Sequence, residues 1–214
     1  MVIAIDGPSG SGKTSTAKKV AKKLNYYYCD SGSLCRAVTF FLIDKKINLN
    51  DNYHVESALK SLEIIYDLEK NLIMLNKIDV TKYLREDFIT QNVSKVSSLS
   101  SVRSFLISVQ RDLAQSRNII VDGRDIGTTV FPNADYKFFI DADIEVRADR
   151  RYKEYLKKNK NQDYQYVLNN MKKRDAFDSN RKNSPLKKAN DAIYIDNSNI
   201  NLNEQVKKII DYIK

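Results

Sequence analysis

A glycine-rich octapeptide between two apolar segments constrains this chain more than any other feature. Gly7-Pro8-Ser9-Gly10-Ser11-Gly12-Lys13-Thr14 matches the P-loop pattern G-x-x-x-x-G-K-[ST] at every fixed position. The apolar run 2–6 before it predicts a buried strand, and residues 15–24 after it carry apolar side chains at helical spacing. Strand, glycine loop and helix in this order place a phosphate at a helix N-terminus, where backbone N–H groups favour an anion.

The octapeptide predicts a site for the phosphates of a nucleoside triphosphate. The glycines let backbone N–H groups converge on phosphate oxygens, Lys13 reaches the β- and γ-phosphates, and the Thr14 hydroxyl can ligate Mg²⁺. The predicted donor-site residues here are Gly7, Pro8, Ser9, Gly10, Ser11, Gly12, Lys13, Thr14 and Ser15.

Size and charge limit the classes of protein to consider. With 214 residues and 42% hydrophobic residues, the chain can form one domain with a substantial core. The net charge of +9 allows nucleic-acid binding, but many lysines lie on predicted helix faces and no nucleic-acid-binding fold signature occurs. We therefore expect no nucleic-acid partner. The chain shows no signal peptide and no run of membrane-spanning length, so we expect a cytoplasmic protein with no membrane partner.

Strand and helix patterns alternate along the chain, which predicts an α/β fold with a parallel sheet covered on both faces. Five apolar runs are the strand candidates, and each of them ends in an aspartate: 2–6, 26–30, 118–122, 136–141 and 192–196. In such sheets ligands bind beyond the carboxyl ends of the strands, so we expect the site at that edge. With the P-loop, this pattern predicts a three-layer P-loop NTPase fold with a five-stranded parallel sheet.

Two segments interrupt the alternation. Residues 61–84 resemble an antiparallel hairpin, which predicts a small insert at about 36–105. Residues 147–178 resemble two helices joined by a basic loop at 157–162, which suits either a lid over phosphates or an ordinary surface helical hairpin. The tetrapeptide 76–79 matches the guanine-reading pattern N-K-x-D, but it falls inside the hairpin and no D-x-x-G motif follows the P-loop. We interpret that match as chance.

Arginines follow several of the predicted strands. Arg36 comes after the second strand, Arg124 after the third, and Arg174 and Arg181 lie near residue 178. Arginine binds phosphate in a bidentate manner, so several arginines facing one P-loop predict a second phosphorylated ligand. Each arginine taken alone is equally well explained by a surface ion pair.

Four motifs in order give the chain a resemblance to the bacterial cytidylate kinase family over nearly its whole length. They are G-P-S-G-S-G-K, D-S-G-x-x-x-R, V-D-G-R-D-I-G-T-x-V-F-P and R-D-x-x-D-x-N-R. The resemblance implies phosphorylation of CMP and dCMP with ATP and Mg²⁺, by a monomer whose insert binds the nucleoside monophosphate (NMP) and whose lid is short.

The resemblance also implies roles for individual residues. Ser94, Arg103 and Asp125 match cytosine-reading positions, with Ser97 or Ser98 as alternatives to Ser94. The other matching positions are Arg36, Arg124 and Arg181 for the acceptor phosphate, Arg174 and Asp178 near the ribose, Ser31 in the NMP site, and Arg147, Arg150 and Arg151 on the lid-flanking helix, of which Arg150 is assigned to ATP. Lys13, Arg124 and Arg181 are the expected catalytic residues. Cys35 and Phe177 depart from the family, which usually has tyrosine and commonly has arginine at these positions.

The expected reaction needs no general base. The second pKa of a phosphate monoester is about 6, so the acceptor is already ionised at neutral pH. Catalysis then consists of positioning and of charge neutralisation in a loose, in-line transition state. Asp122 suits the second shell of Mg²⁺, although a kinase acting on an alcohol would use it as a base. Two rival functions remain open from the sequence: a small-metabolite kinase such as a shikimate kinase, and a nucleic-acid-dependent ATPase.

Overall fold

A computed structural model describes residues 1–157, 159 and 162–213. Its strands are β1 (Val2–Asp6), β2 (Tyr27–Asp30), β3 (Ile64–Asp67), β4 (Leu72–Leu75), β5 (Ile78–Asp79), β6 (Ile119–Gly123), β7 (Tyr136–Asp141) and β8 (Ile193–Asp196). Its α-helices are α1 (Lys13–Leu24), α2 (Ser31–Asp44), α3 (Asn52–Lys60), α4 (Asp87–Ser97), α5 (Ser100–Ala114), α6 (Ile144–Lys157), α7 (Tyr164–Asn180) and α8 (Leu202–Ile213).

Within the described residues, five strands form a parallel sheet in the spatial order β2-β6-β1-β7-β8. Successive side chains on a strand point to opposite faces, so each strand contributes to two helix layers. Val121 packs with Leu34 of α2 and Leu106 of α5 on one face. Ile120, its neighbour in the chain, packs with Val20 of α1 on the other face, where α8 also packs. The predicted three-layer α/β fold is confirmed.

The carboxyl ends of the strands meet at one edge of the sheet. The parallel register pairs Asp30 with Asp122, Asp6 with Gly123, and Asp141 with Asp196. The aspartates that end the five strands therefore gather at this edge, where the P-loop leaves β1. This placement is the one that the sequence pattern predicted.

A second, antiparallel sheet lies between β2 and β6 in the chain. Strands β3 and β4 pair with Ile64 opposite Leu75, and β4 also pairs with β5. The hairpin expected at 61–84 is therefore present. Residues 76 and 77 form the turn between β4 and β5, with positive φ at both positions, so the N-K-x-D match lies in a tight turn.

Helices α6 and α7 pack against each other through Ala148, Val167, Leu168 and Met171. Asp163 caps α7 by accepting a hydrogen bond from the Tyr166 N–H at 2.9 Å. Lys158, Lys160 and Asn161 of the predicted lid loop lie outside the described residues. In the part of the chain that is described, no helix is long and apolar enough to cross a bilayer.

Candidate active site

The P-loop backbone requires glycine where it turns. Gly7 has φ +154, and a Cβ there would lie 2.0 Å from the Ile140 carbonyl oxygen. Gly12 has φ +80 and precedes α1 as its N-cap, with no side-chain capping bond. The first N–H groups of α1 therefore remain available to an anion.

Lys13, the first residue of α1, is buried beside the loop. Its Nζ donates a hydrogen bond to the Pro8 carbonyl oxygen at 2.8 Å, across the loop. Burial, with a further contribution from the Arg124 guanidinium, lowers the pKa of Lys13 to about 7. A polyanion in the loop would favour the charged form of this lysine.

Asp122 connects three elements at the sheet edge. Its Oδ2 accepts a hydrogen bond from Thr14 Oγ1 at 2.7 Å, and its Oδ1 accepts one from the Tyr28 hydroxyl at 2.7 Å. The Ser31 hydroxyl donates to the Asp122 carbonyl oxygen at 2.6 Å. Burial, and next the Asp30 carboxylate, raise the pKa of Asp122. A nearby cation would relieve that unfavourable charge.

Asp30 ends β2 and caps α2. Its Oδ1 accepts a hydrogen bond from the Ser33 N–H at 2.9 Å, and its Oδ2 lies 3.1 Å from Arg85 Nη2. Burial alone would raise the pKa of Asp30, but the Ser33 hydrogen bond and the Arg36 and Arg85 guanidiniums outweigh it and lower this pKa. The carboxylate thus stays charged and orients the arginines around it.

Three further arginines lie around Asp178. Arg124 Nε lies 3.1 Å from Asp178 Oδ2. Burial, and next the Arg124 charge, lower the pKa of Arg174 to about 10. Burial also lowers the pKa of Arg181, whose Nε donates to the Ser184 carbonyl oxygen at 2.6 Å. So many buried guanidiniums with few carboxylates indicate a site for an anion.

Arg103 of α5 and Asp125 form a buried ion pair. Asp125 lies in the segment after β6, and Asp6 holds the next turn by accepting hydrogen bonds from the N–H groups of Ile126 at 2.9 Å and Gly127 at 2.8 Å. The end of β1 therefore fixes where the Asp125 carboxylate stands.

One cavity of about 520 Å³ joins the P-loop to these charged groups. Nine cationic side chains line it, against five carboxylates. Of the predicted site residues, the following line the cavity: Ser9, Gly10, Gly12, Lys13, Thr14, Ser15, Arg36, Ser94, Arg103, Asp122, Arg124, Asp125, Arg150, Arg174, Asp178 and Arg181.

Four predicted residues of the P-loop and the acceptor site do not line the cavity: Gly7, Pro8, Ser11 and Ser31. Gly7 and Pro8 shape the loop, and the Ser31 hydroxyl is used by the Asp122 carbonyl. Both Ser94 and Ser97 line the cavity, whereas Ser98 does not. Of the two departures from the family pattern, Cys35 lines the cavity and Phe177 is 43% exposed outside it.

The predicted lid arginines have different environments. Arg150 Nη2 donates to the Asn197 carbonyl oxygen at 2.8 Å, and Arg151 Nη1 lies 2.8 Å from Glu154 Oε2; both arginines line the cavity. Arg147 is buried and does not line it.

Sequence reasoning missed several residues of the cavity, above all Arg85. It stands alone before α4, in no motif, and only the fold brings it to Asp30. Asp30 carried a signal, since it ends a strand and opens the D-S-G-x-x-x-R motif. The other lining residues that sequence reasoning did not assign are Gly32, Thr90, Val93, Gly123 and Glu154.

Comparison with known proteins gives full-length matches. A family model described as cytidylate kinase matches residues 3–214. The chain is 45% identical to a cytidylate kinase from Fusobacterium nucleatum over 209 residues, covering 98% of this chain and 95% of that protein. It is 43% identical to one from Halalkalibacterium halodurans over 216 residues, covering 100% of this chain and 97% of that protein.

Solved structures resemble the fold at low sequence identity. An uncharacterized protein from Eubacterium ventriosum matches with a TM-score of 0.54 and 16% identity, covering 100% of this chain and 98% of that one. A shikimate kinase from Bacteroides thetaiotaomicron matches with a TM-score of 0.50 and 10% identity, with the same coverage. At these identities the likeness shows the P-loop kinase fold alone.

Proposed function

The chain belongs to the cytidylate kinase family, and from this premise we propose that it transfers the γ-phosphoryl group of ATP to CMP. The observation that carries the proposal is the single cavity that joins the P-loop to a cluster of arginines and to a buried Arg103–Asp125 pair. A triphosphate at one end and a monophosphate with a polar base at the other match these charges.

We assign the acceptor phosphate to Arg36, Arg124 and Arg181. All three line the cavity, and bidentate guanidinium contacts suit a phosphate dianion. The phosphate oxygen that attacks ATP is ionised at neutral pH, so these arginines and Lys13 need only position the reactants and stabilise charge. We therefore propose that Lys13, Arg124 and Arg181 are the catalytic residues.

We assign cytosine to Arg103 and Asp125, with a serine of α4 beside them, Ser94 or the neighbouring Ser97. Arg174 and Asp178 are assigned to the ribose. dCMP has the same base and phosphate as CMP and differs only in the sugar. Because contacts to the base and the phosphate would provide most of the binding free energy, we propose that dCMP is also accepted. The Ser31 hydroxyl is held by the Asp122 carbonyl, so its role in the acceptor site would be to position the start of α2.

The donor triphosphate is assigned to the P-loop, residues 7–15, with Arg150 nearby. Mg²⁺ binds proteins through few side chains and otherwise through waters and substrate phosphates. The Thr14 hydroxyl and the Asp122 carboxylate, joined at 2.7 Å, fit that preference as a direct ligand and an acceptor for a metal-bound water. Bound there, Mg²⁺ would neutralise charge on the transferring phosphoryl group.

Two further segments complete the proposal. The segment at about 36–105 would be the NMP-binding insert, and 147–178 would be the lid. Residues of both line the cavity, Arg85 from the first and Arg151 from the second. Closure of these parts over bound substrates would exclude water from the transferred phosphoryl group.

An ADP-release assay with CMP, dCMP, UMP, AMP, GMP and shikimate tests the function. We expect activity with CMP and dCMP that depends on Mg²⁺, and no stimulation of ATP hydrolysis by RNA. Activity on shikimate in place of CMP would refute the proposal. The Lys13→Ala variant serves as the control for contaminating kinases.

A further inference from the structure

Two charged side chains of the lid helices hold the backbone of the P-loop at Ser9. Arg147 Nη1 of α6 donates a hydrogen bond to the Ser9 carbonyl oxygen at 3.0 Å. Asp175 Oδ1 of α7 accepts one from the Ser9 N–H at 3.3 Å. Arg147 and Asp175 also form an ion pair with each other. Both polar groups of the Ser9 backbone are thus fixed from outside the loop.

Arg147 is itself held rigidly. Its Nε donates to the Ala142 carbonyl oxygen at 2.8 Å and lies 3.7 Å from Asp141 Oδ1 at the end of β7. Its residue is only 7% exposed. A buried guanidinium that spans β7, the P-loop and α7 can transmit the position of one element to the others.

The next residue of the loop is in close contact with the same helices. Gly10 has φ +74, and a Cβ there would lie 2.8 Å from Met171 Cε of α7 and 3.2 Å from the Arg147 carbonyl oxygen of α6. The first turn of α6, at Arg147, and the part of α7 around Met171 therefore pack directly on the loop. Any lid motion that leaves these contacts intact must occur farther from the loop.

Ser9 and Gly10 line the cavity, but Arg147 and Asp175 do not. This separation indicates that Asp175 supports the loop and does not stand in the space of a phosphate. We propose that Asp175 and Arg147 are positioning residues that hold the Ser9–Gly10 segment in the conformation that receives the donor phosphates. The inference rests on the proposed function only in that the donor is a nucleoside triphosphate.

Asp175→Asn tests the proposal, because it keeps the size of the side chain and removes the charge that pairs with Arg147. Two measurements need no acceptor: ATP affinity by calorimetry, and hydrogen exchange of the amides of residues 7–12. The matched control is Asp191→Asn, which breaks a pair with the buried Lys137 far from the loop in sequence.

We expect Asp175→Asn to weaken ATP binding about tenfold, in the range of one charged hydrogen bond, and to speed exchange in residues 7–12. In the kinase assay, KM for ATP should rise while KM for CMP stays within about twofold. Asp191→Asn should leave ATP affinity and exchange unchanged. Arg147→Lys, which keeps the charge but loses the planar fork, should act in the same direction and covers the case that Asp175→Asn does not fold.

Unchanged ATP affinity in Asp175→Asn, or an equal loss in Asp191→Asn, would overturn the proposal. Tighter ATP binding would also overturn it, because Asp175 would then compete with phosphate. If the unmodified protein binds ATP but phosphorylates no nucleotide, the proposed function fails. The binding and exchange measurements then still test whether Asp175 and Arg147 position the Ser9–Gly10 segment.

Discussion

Arg103 and Asp125 form a buried ion pair in which the Nε of Arg103 is a buried donor without a partner among the described residues. Arg103 Nη2 bonds Asp125 Oδ2. A buried donor without a partner costs free energy, which an acceptor on a ligand would recover. Arg181 Nη2 lies 3.8 Å from the other Asp125 oxygen, which links this pair to the arginines assigned to phosphate.

The pair predicts the choice of base. Cytosine offers its 4-amino group to a carboxylate and its N3 acceptor to a guanidinium, whereas uracil has an acceptor at position 4 and a donor at N3. Sites that depend on hydrogen bonds can reject such analogues strongly, so we expect at least about a hundredfold preference for CMP over UMP in kcat/KM. Equal use of both by the unmodified protein would refute the cytosine assignment and leave an NMP kinase.

Asp125→Ala should lower kcat/KM for CMP. It should also reduce the ratio of kcat/KM for CMP to kcat/KM for UMP. The same change leaves Arg103 buried without its partner, which itself destabilises the fold. Asp125→Asn, which keeps the side-chain size, should therefore be assayed beside it, with thermal melting of both variants. Loss of activity without any narrowing of the gap between the bases would assign Asp125 to structure only.

Lys13→Ala should reduce turnover at least about a hundredfold, or about 3 kcal/mol, since a lysine on the transferred phosphoryl group acts mainly in the transition state. The fold should persist, because the hydrogen bond described for the Lys13 side chain goes to the Pro8 carbonyl oxygen of the same loop and joins no distant elements. Turnover and far-UV circular dichroism measure the two effects. Near-normal turnover would contradict the role of the P-loop.

We expect three arginines to bind the acceptor CMP and not the donor ATP: Arg36, Arg124 and Arg181. A charged hydrogen bond contributes about 1.5–3 kcal/mol, so each alanine variant should lose about tenfold to a hundredfold or more in kcat/KM for CMP. ATP binding measured without CMP should change little. Collapse of ATP affinity would place these arginines at the donor end.

The pKa of Lys13 predicts a proton uptake on ATP binding. Burial and Arg124 lower this pKa to about 7, so the nucleotide-free protein holds Lys13 mostly neutral at pH 8. Bound triphosphate favours the ammonium form, so the pKa should rise and ATP affinity should weaken as pH increases above about 7. Carbon NMR of labelled lysines checks this, with the Lys13 signal assigned by its loss in Lys13→Met. A Lys13 signal that titrates at the ordinary lysine pKa without ATP would contradict it.

Asp122 should set the requirement for Mg²⁺. Loss of a residue that supports a metal through water costs about tenfold to a hundredfold in metal affinity, so Asp122→Asn should raise the Mg²⁺ concentration for half-maximal activity by that factor. Tyr28→Phe is the matched control, because it removes the hydrogen bond to the other Asp122 oxygen and keeps the charge. If the unmodified protein, Asp122→Asn and Tyr28→Phe all need the same Mg²⁺ concentration for half-maximal activity, Asp122 is excluded from the metal site.

Most of the central sheet could be predicted from the sequence. The runs of β-branched and aromatic residues that end in aspartate match the observed strands to within a residue at each end. The pattern is strongest in the central strands β1 and β6, which are buried along nearly their whole length and are therefore mostly apolar. The apolar periodicity of residues 202–213 likewise predicts an amphipathic helix, which is α8 in the structure. Local pattern suffices where the spacing of the buried residues follows the period of the element.

Only some residues of the candidate site could be predicted from the sequence. Motifs pointed to Lys13, Arg124 and Asp125, and the structure places all three on one cavity. Arg85 carried no such signal, since it depends on Asp30, a partner far away in sequence. Asp175 stands in the R-D-x-x-D-x-N-R motif, but only the tertiary structure pairs it with Arg147.

The sequence by itself determined that the chain is an α/β P-loop protein whose glycine loop and strand-end aspartates lie at one sheet edge, because glycine spacing and apolar period act within a few residues. Only the tertiary structure decided how the charges are distributed. It buried Arg103 against Asp125, turned Arg147 to the Ser9 backbone and left Arg150 and Arg151 in the cavity. The energy of a charged group depends on its burial and on the groups around it, and these follow from how distant segments pack.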